Sequence, residues 1–418
     1  MRITTAITSF HLIASAAAFT LHHVVSYPQK NISSKCSRTQ KSNNNVSSSY
    51  LTMAANDDMN SNVAELTSAL ARIDKQWDKR ESTRPSQMQG WTKLILEQDE
   101  DKTSAASTNN GQSEFVYLLE PESTPSMIIM FLGGAGLGQF PHIAYNSLLT
   151  SLSRKLNAAI VTAPYPLSLD HFSLSKTAGE SLRKAIVQCE ENGNYSPNLP
   201  KFYLGHSLGS KLLAIALAAS GVRDVQGVGF MSYNNFGFKD TLSMVKGFAD
   251  DLNGNGGFGG MGMSGINLDQ ILDFAGEAVN MLGFEFTPDP VTMDRIIEMK
   301  YNDDLQQKTR LFTFDDDDLD SSAGFVNACS KGSSPHSLSI SKSQGNHLAP
   351  VFLKFGLDDL DLPEEAKPFV DDAVNGFQSA SFGDETAMNE AVDEIVNWIM
   401  GKEPSRPARI AAAVEKDS

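Results

Sequence analysis

Cysteine is nearly absent from this 418-residue chain. Cys36, Cys189 and Cys329 are the whole complement, too few for a disulfide framework. Long apolar runs are also missing, and no uninterrupted stretch reaches the roughly 20 residues that a membrane-spanning helix needs. Positive charge is in deficit: 34 Lys and Arg against 50 Asp and Glu leave a formal charge of −16, which argues against a nucleic-acid partner whose phosphates would be repelled. The acid-rich run Asp315–Asp320 lacks the EF-hand pattern and has no His or Cys beside it. The glycine-rich run at 133–138 has no Gly-Lys-Ser/Thr and no dinucleotide fingerprint. Neither a metal nor a cofactor is therefore expected. What remains, 41% hydrophobic and 20% charged residues, suits one large or two smaller soluble α/β domains.

Residues 1–56 stand apart. They hold five Lys or Arg and no Asp or Glu, and Ser and Asn crowd 31–49. Arg2 followed by the mildly apolar Ile3–Ala18 reads as a signal peptide. Ala14-Ser-Ala-Ala-Ala-Phe19 resembles the plastid-targeting motif of diatoms and related algae, in which Phe follows the cleavage site, and the acid-poor stretch behind it resembles a transit peptide. A second cut near 51–56 would remove those five basic residues and take the formal charge from −16 to −21. The expectation is a bipartite leader to a complex plastid (chloroplast). The plainer alternative is a secretory signal ahead of a disordered linker.

The most informative stretch is Lys201–Ala219. Phe202–Leu204 reads as a short buried strand, Leu208–Ala219 as an apolar helix, and Gly205-His206-Ser207-Leu208-Gly209 between them matches G-x-S-x-G. A serine at the tip of a strand-to-helix turn needs unusual backbone angles and close packing, which glycines two before and two after permit. Its hydroxyl then lies at a helix N-terminus, where backbone N–H groups favour a developing oxyanion. The bare motif arises by chance in roughly one chain in ten of this length. The flanking strand and helix give it weight against an ordinary turn with a serine N-cap.

In chain order, Val63, Leu66, Leu70, Ile73 and Trp77 define an amphipathic helix that packs on the domain edge or serves a protein partner. Trp91–Leu96 and Glu114–Leu119 read as an antiparallel start to a sheet. Ser126–Leu132 is a continuous apolar run, as a strand buried on both faces should be, and it ends in Gly133-Gly-Ala-Gly-Leu-Gly138. In α/β-hydrolases the loop after this strand supplies the second oxyanion N–H, and Gly134 and Ala135 are the candidates, with Leu208 as the first donor. Helix 142–156, strand Ala158–Thr162, the loop with Tyr165 and His171, and helix Lys176–Glu191 lead to the elbow. The alternation predicts a doubly wound, mostly parallel sheet.

Gln226–Ser232 reads as the next strand, with Asn234 and Asn235 at its end as pocket-lining amides or as turn formers. Residues 237–300 break the alternation. Helical pieces at Thr241–Leu252, Leu268–Leu282 and Val291–Lys300 surround the Gly-, Asn- and Met-rich Asn253–Gly265, an insertion where hydrolases of this fold often carry a cap. Strand Thr309–Phe314 runs into five aspartates at 315–320, with Asp317 first and Asp316 and Asp320 behind it as the triad acid. Ser337–Ser341 is a short strand, and His347 follows on a glycine-containing loop, where the general base belongs. Outside the leader only His142, His171, His206, His336 and His347 remain, with His171 the competitor. A closing helix lies within 364–400, and 401–418 is a polar tail. The domain thus spans about 114–400, with 57–113 as an extension before it.

Together Phe131-Leu-Gly-Gly134, Pro141 with Tyr145, Pro164-Tyr165, Asp170-His171, Gly205–Gly209, Asn234-Asn235-Phe236, Phe286-Thr-Pro288, Asp317–Asp320 and Gly345-Asn-His-Leu348 with Pro350 resemble an α/β-hydrolase-like family of cyanobacteria, algae and plants, catalogued as domain of unknown function 1350. Ala349 stands where the family often has threonine. The resemblance implies the α/β-hydrolase fold and no agreed substrate. The order Ser207…Asp317…His347 is that of the α/β-hydrolase triad. The expected function is a serine hydrolase acting on an ester or thioester of a small acyl or lipid substrate, with Tyr165, His171, Asn234 and Asn235 lining its pocket. A non-catalytic plastid scaffold, using the cap or the N-terminal helix for partners, is the alternative.

Overall fold

The computed structural model describes residues 70–71, 74, 90–97, 114–221, 224–241, 285–332, 338–355 and 380–407. The apolar run becomes strand β3 (Met127–Leu132), and it lies at the heart of an eight-stranded sheet. The others are β1 (Trp91–Ile95), β2 (Phe115–Leu119), β4 (Ala158–Thr162), β5 (Lys201–His206), β6 (Gly227–Met231), β7 (Thr309–Asp316) and β8 (Ser339–Asn346), in the spatial order β1-β2-β4-β3-β5-β6-β7-β8. β1 and β2 pair antiparallel, as does β2 with β4, and every pairing from β4 to β8 is parallel.

The parallel strands are covered on both faces, as their continuous apolar sequences require. Alternate residues of β3 part to opposite sides. Ile128, Met130 and Leu132 join a core with α3 (His171–Glu191), α4 (Leu208–Ser220), α5 (Pro290–Lys300) and α7 (Ser322–Lys331). Ile129 and Phe131 join a second core with α2 (Asn146–Leu156) and α8 (Glu385–Ile399). A short helix α6 (Asp303–Lys308) precedes β7, and β9 (Leu353–Phe355) and β10 (Ala380–Phe382) form a separate antiparallel pair. This is the α/β-hydrolase architecture. After β3 the chain first steps outward to β4, then returns to place β5 on the other side of β3, so the winding reverses between them. Ligand sites form at such a switch point, outside the carboxyl ends of the strands. Here those ends carry the glycine loop and the elbow.

Three elements differ from the sequence expectation. The helix foreseen at 142–156 is two, α1 (Pro141–Ala144) and α2, broken at Tyr145, whose backbone leaves helical angles. α3 begins at His171 rather than 176, because the Asp170 side chain caps it by accepting from Ser173 N at 3.0 Å. β8 runs on to Asn346: pairing with β7 holds the polar Ser341–Asn346 in the ladder despite its loop-like composition. Of the foreseen N-terminal helix only Leu70, Ala71 and Asp74 are described, all helical, with Leu70 buried. The leader, the cap pieces from 242 to 284 and His336 lie outside the described residues. Among the described residues no helix is long and apolar enough to cross a membrane.

Candidate active site

The elbow carries its strain where the motif places it. Ser207 sits at φ 53°, ψ −121°, a conformation that costs a non-glycine residue about 1–3 kcal/mol. Its N–H donates to Met231 O at 2.9 Å, anchoring the turn to β6. The two glycines have separate steric reasons. A Cβ on Gly205 would meet the Ser210 backbone at 2.7 Å, and one on Gly209 would collide with the Leu132 and Gly133 carbonyls. Gly209 is thus what lets α4 approach the end of β3.

Strand register then assembles the rest. β7 and β8 are paired through Asp316↔Asn346, past a local irregularity after Phe314, so Asp317 and His347 emerge side by side. His347 Nδ1 lies 3.0 and 3.1 Å from the two Asp317 oxygens, and Nε2 lies 2.9 Å from Ser207 Oγ. Burial alone would raise the Asp317 carboxyl. The bond to His347 and its charge, helped by the neighbouring Ser232 hydroxyl and the Leu319 N–H, outweigh it and hold the carboxyl below the ordinary value. An ionised Asp317 can only accept. Nδ1 therefore carries the imidazole hydrogen, and Nε2 is left as a lone pair to accept from Ser207 O–H.

Asp320 behaves oppositely. Burial, with the nearby Asp317 charge, pushes its carboxyl up to about 6 against the bonds from Ser322. Its Oδ1 accepts from Ser322 N at 2.8 Å, while Asp317 takes the histidine. Of the remaining acids, Asp315 pairs with Lys342 and Arg406, and Asp316 is exposed on the ladder.

The oxyanion candidates separate. Gly134 packs against the Ser207 side chain, but its N–H donates to Tyr145 Oη at 2.7 Å and is not free for a substrate. Ala135, the next residue, is exposed. The Leu208 N–H is the first of α4, with no carbonyl one turn behind it in the helix. Among the described residues no protein acceptor is recorded for either Ala135 N or Leu208 N.

The residues expected to line a pocket are mostly committed to the protein itself. Tyr165 is buried and its hydroxyl donates in a short bond to Gly133 O. His171 is buried and stacked on Phe286 at 4.4 Å, with burial lowering it to about 3; the nitrogen bonded to Ser207 Oγ is that of His347. Asn235 Nδ2 donates to Pro290 O and Asp294 Oδ1, a structural role at the start of α5. Asn234 Oδ1 accepts from Phe236 N at 3.4 Å, so it serves the turn. Among the described residues no group of three His, Cys, Asp or Glu is placed to hold a metal.

The roles of two side chains went unforeseen. Lys211 is 1% exposed, donates to Pro288 O at 3.1 Å, and is lowered to about 8 by burial. A lone cation inside the apolar Leu208–Ala219 run was the visible signal. Tyr145 is fully buried beneath the glycine loop; the family resemblance marked the position, but nothing in its helical spacing announced this role.

Residues 114–391 match the family described as "Protein of unknown function (DUF1350)". The chain belongs to this family. Among solved structures it is similar to fungal esterases from Rhizomucor miehei (17% identity, TM-score 0.43, 74% of this chain and 82% of that one). It is also similar to carboxyl esterase 2 from the mycorrhizal fungus Tuber melanosporum (16%, 0.37, 74% and 96%) and to a thermostable carboxyl esterase from Bacillus coagulans (13%, 0.40, 75% and 98%). No curated protein matches the chain.

Proposed function

We propose that this DUF1350 protein is a serine hydrolase that cleaves a carboxylic ester or thioester. The observation that carries the reading is the unbroken line Ser207 Oγ–His347–Asp317 at 2.9 and 3.0 Å. In the proposed reaction Ser207 Oγ attacks the substrate carbonyl while His347 Nε2 takes its proton. Asp317, already bonded to Nδ1, stabilises the resulting imidazolium. The tetrahedral oxyanion is held by Leu208 N–H and Ala135 N–H, each worth about 2.7–4 kcal/mol of transition-state stabilisation. The imidazolium then protonates the departing alkoxide or thiolate. Water, deprotonated by the same nitrogen, releases the acid and restores the serine. A lipid or other acyl chain as substrate, and the plastid as the site of action, extend the proposal from the sequence of the cap and leader.

The test uses the full chain and its Ser207→Ala variant, treated with a fluorophosphonate probe and weighed as intact proteins. One probe adduct on the wild type and none on the variant is the expected result. Absence of an adduct on folded wild type would remove the hydrolase reading and leave the scaffold alternative.

A further inference from the structure

The three segments that build the site leave the sheet from separate strands: the glycine loop from β3, the elbow from β5 and the His347 loop from β8. One buried side chain of the elbow links it to the other two, directly to the His347 loop and through Tyr145 to the glycine loop. His206, directly before the nucleophile, places Nδ1 2.8 Å from Tyr145 Oη and Nε2 2.8 Å from the His347 carbonyl oxygen. Tyr145 Oη in turn receives the Gly134 N–H at 2.7 Å. The direction of every bond is forced. An amide N–H only donates, so the tyrosine oxygen accepts from Gly134, and in the neutral ring its single hydrogen goes to Nδ1, the nitrogen left without one. A carbonyl only accepts, so His206 Nε2 carries the ring hydrogen. Both ends fit the same neutral tautomer.

Resting on the hydrolase reading, we propose that His206 is a positioning residue. It holds the oxyanion loop through Nδ1 and the backbone of the catalytic base through Nε2, so that one imidazole sets both halves of the site against Ser207. Protonation would break the tie, since a hydrogen on Nδ1 would meet the tyrosine hydrogen. Burial keeps His206 neutral, lowering it to about 3. It is fully enclosed, and its ring lies 5.1 Å from that of His347. Tyr145 closes the other side with its own ring against Phe131 at 4.8 Å.

The two bonds can be cut separately. A glutamine at 206 sets its amide nitrogen near the place of Nε2 and keeps the donor to His347 O, while losing the acceptor for Tyr145. An asparagine sets its amide oxygen near the place of Nδ1 and does the reverse. With the full chain, the second-order rate of fluorophosphonate labelling is measured for His206→Gln, His206→Asn, Tyr145→Phe and the two doubles. Each single variant is expected to slow labelling about tenfold, the scale of one buried hydrogen bond. On top of His206→Gln, Tyr145→Phe costs less than it does in the wild type, because the Tyr145–His206 bond is already lost and only the acceptor for Gly134 N–H remains to be removed. It multiplies the loss in His206→Asn. Losses that track the melting temperature instead of this pattern, or singles within twofold of wild type, overturn the proposal.

A long-range ¹⁵N–¹H spectrum of the imidazoles, with His206 assigned by its disappearance in His206→Gln, separates the two readings. A neutral Nε2–H tautomer persisting at pH 5 in a protein that never labels would remove the hydrolase reading and leave the tie standing. An Nδ1–H tautomer, or a protonated ring at that pH, removes the tie itself.

Discussion

Five aspartates crowd the end of β7, and their local chemistry separates them. Asp317 is stabilised as an anion by His347, whereas Asp320 is driven towards its neutral form by burial. On the proposed mechanism Asp317→Asn disrupts the imidazole tautomer that Ser207 needs. Ester hydrolysis should fall by on the order of 10³–10⁴, with little change in KM. Asp320→Asn should stay within a few-fold, because an amide oxygen still accepts from Ser322 N. Steady-state kinetics on a short-chain nitrophenyl ester distinguish the two. An Asp320→Asn loss as deep as that of Asp317→Asn would show that the acid had been misassigned. The same scale explains why Gly134 fails as an oxyanion donor while its neighbour is free. Its N–H is already spent on a tyrosine eleven residues on.

At the scale of elements, the elbow depends on how closely α4 can approach β3. Gly209→Ala puts a methyl into two backbone carbonyls, Leu132 O and Gly133 O, which cannot move without dragging β3 and its loop. The expected cost is above about 3 kcal/mol, read as a drop in denaturation midpoint or as failure to fold. Gly324→Ala, in α7 with open space where the Cβ would go, should be neutral or slightly stabilising and serves as control. Element boundaries also explain the missed readings. The 142–156 periodicity described a continuous helix, yet the break at Tyr145 accompanies a ring turned under the glycine loop. The polar composition of Ser341–Asn346 described a loop, yet the ladder with β7 extends the strand and carries His347 to its place.

For the molecule as a whole, stability must depend on pH through the buried acid. Asp320 holds its proton up to about pH 6 in the native state, while in the unfolded chain it ionises near 4. Between these values the native state binds more protons, so this group makes stability fall as pH rises through the window. Asp320→Asn removes that dependence. It should be more stable than wild type at pH 7 by on the order of 2 kcal/mol and equal to it near pH 4. Urea denaturation at the two pH values checks this, and an equal difference at both would rule out titration as the cause. Sequence alone determined the sheet's strands, the elbow, and the order of serine, acid and histidine. Apolar periodicity, glycine spacing and chain order are local or linear properties, and they are written in the chain. Tertiary structure decided which aspartate meets His347, which glycine-loop amide stays free, and that His206 bonds to Tyr145 and to the His347 carbonyl. Those choices turn on strand register and on which buried donors have already found acceptors. Both are set by residues far apart in sequence, such as Asp316 opposite Asn346 and Tyr145 beneath Gly134.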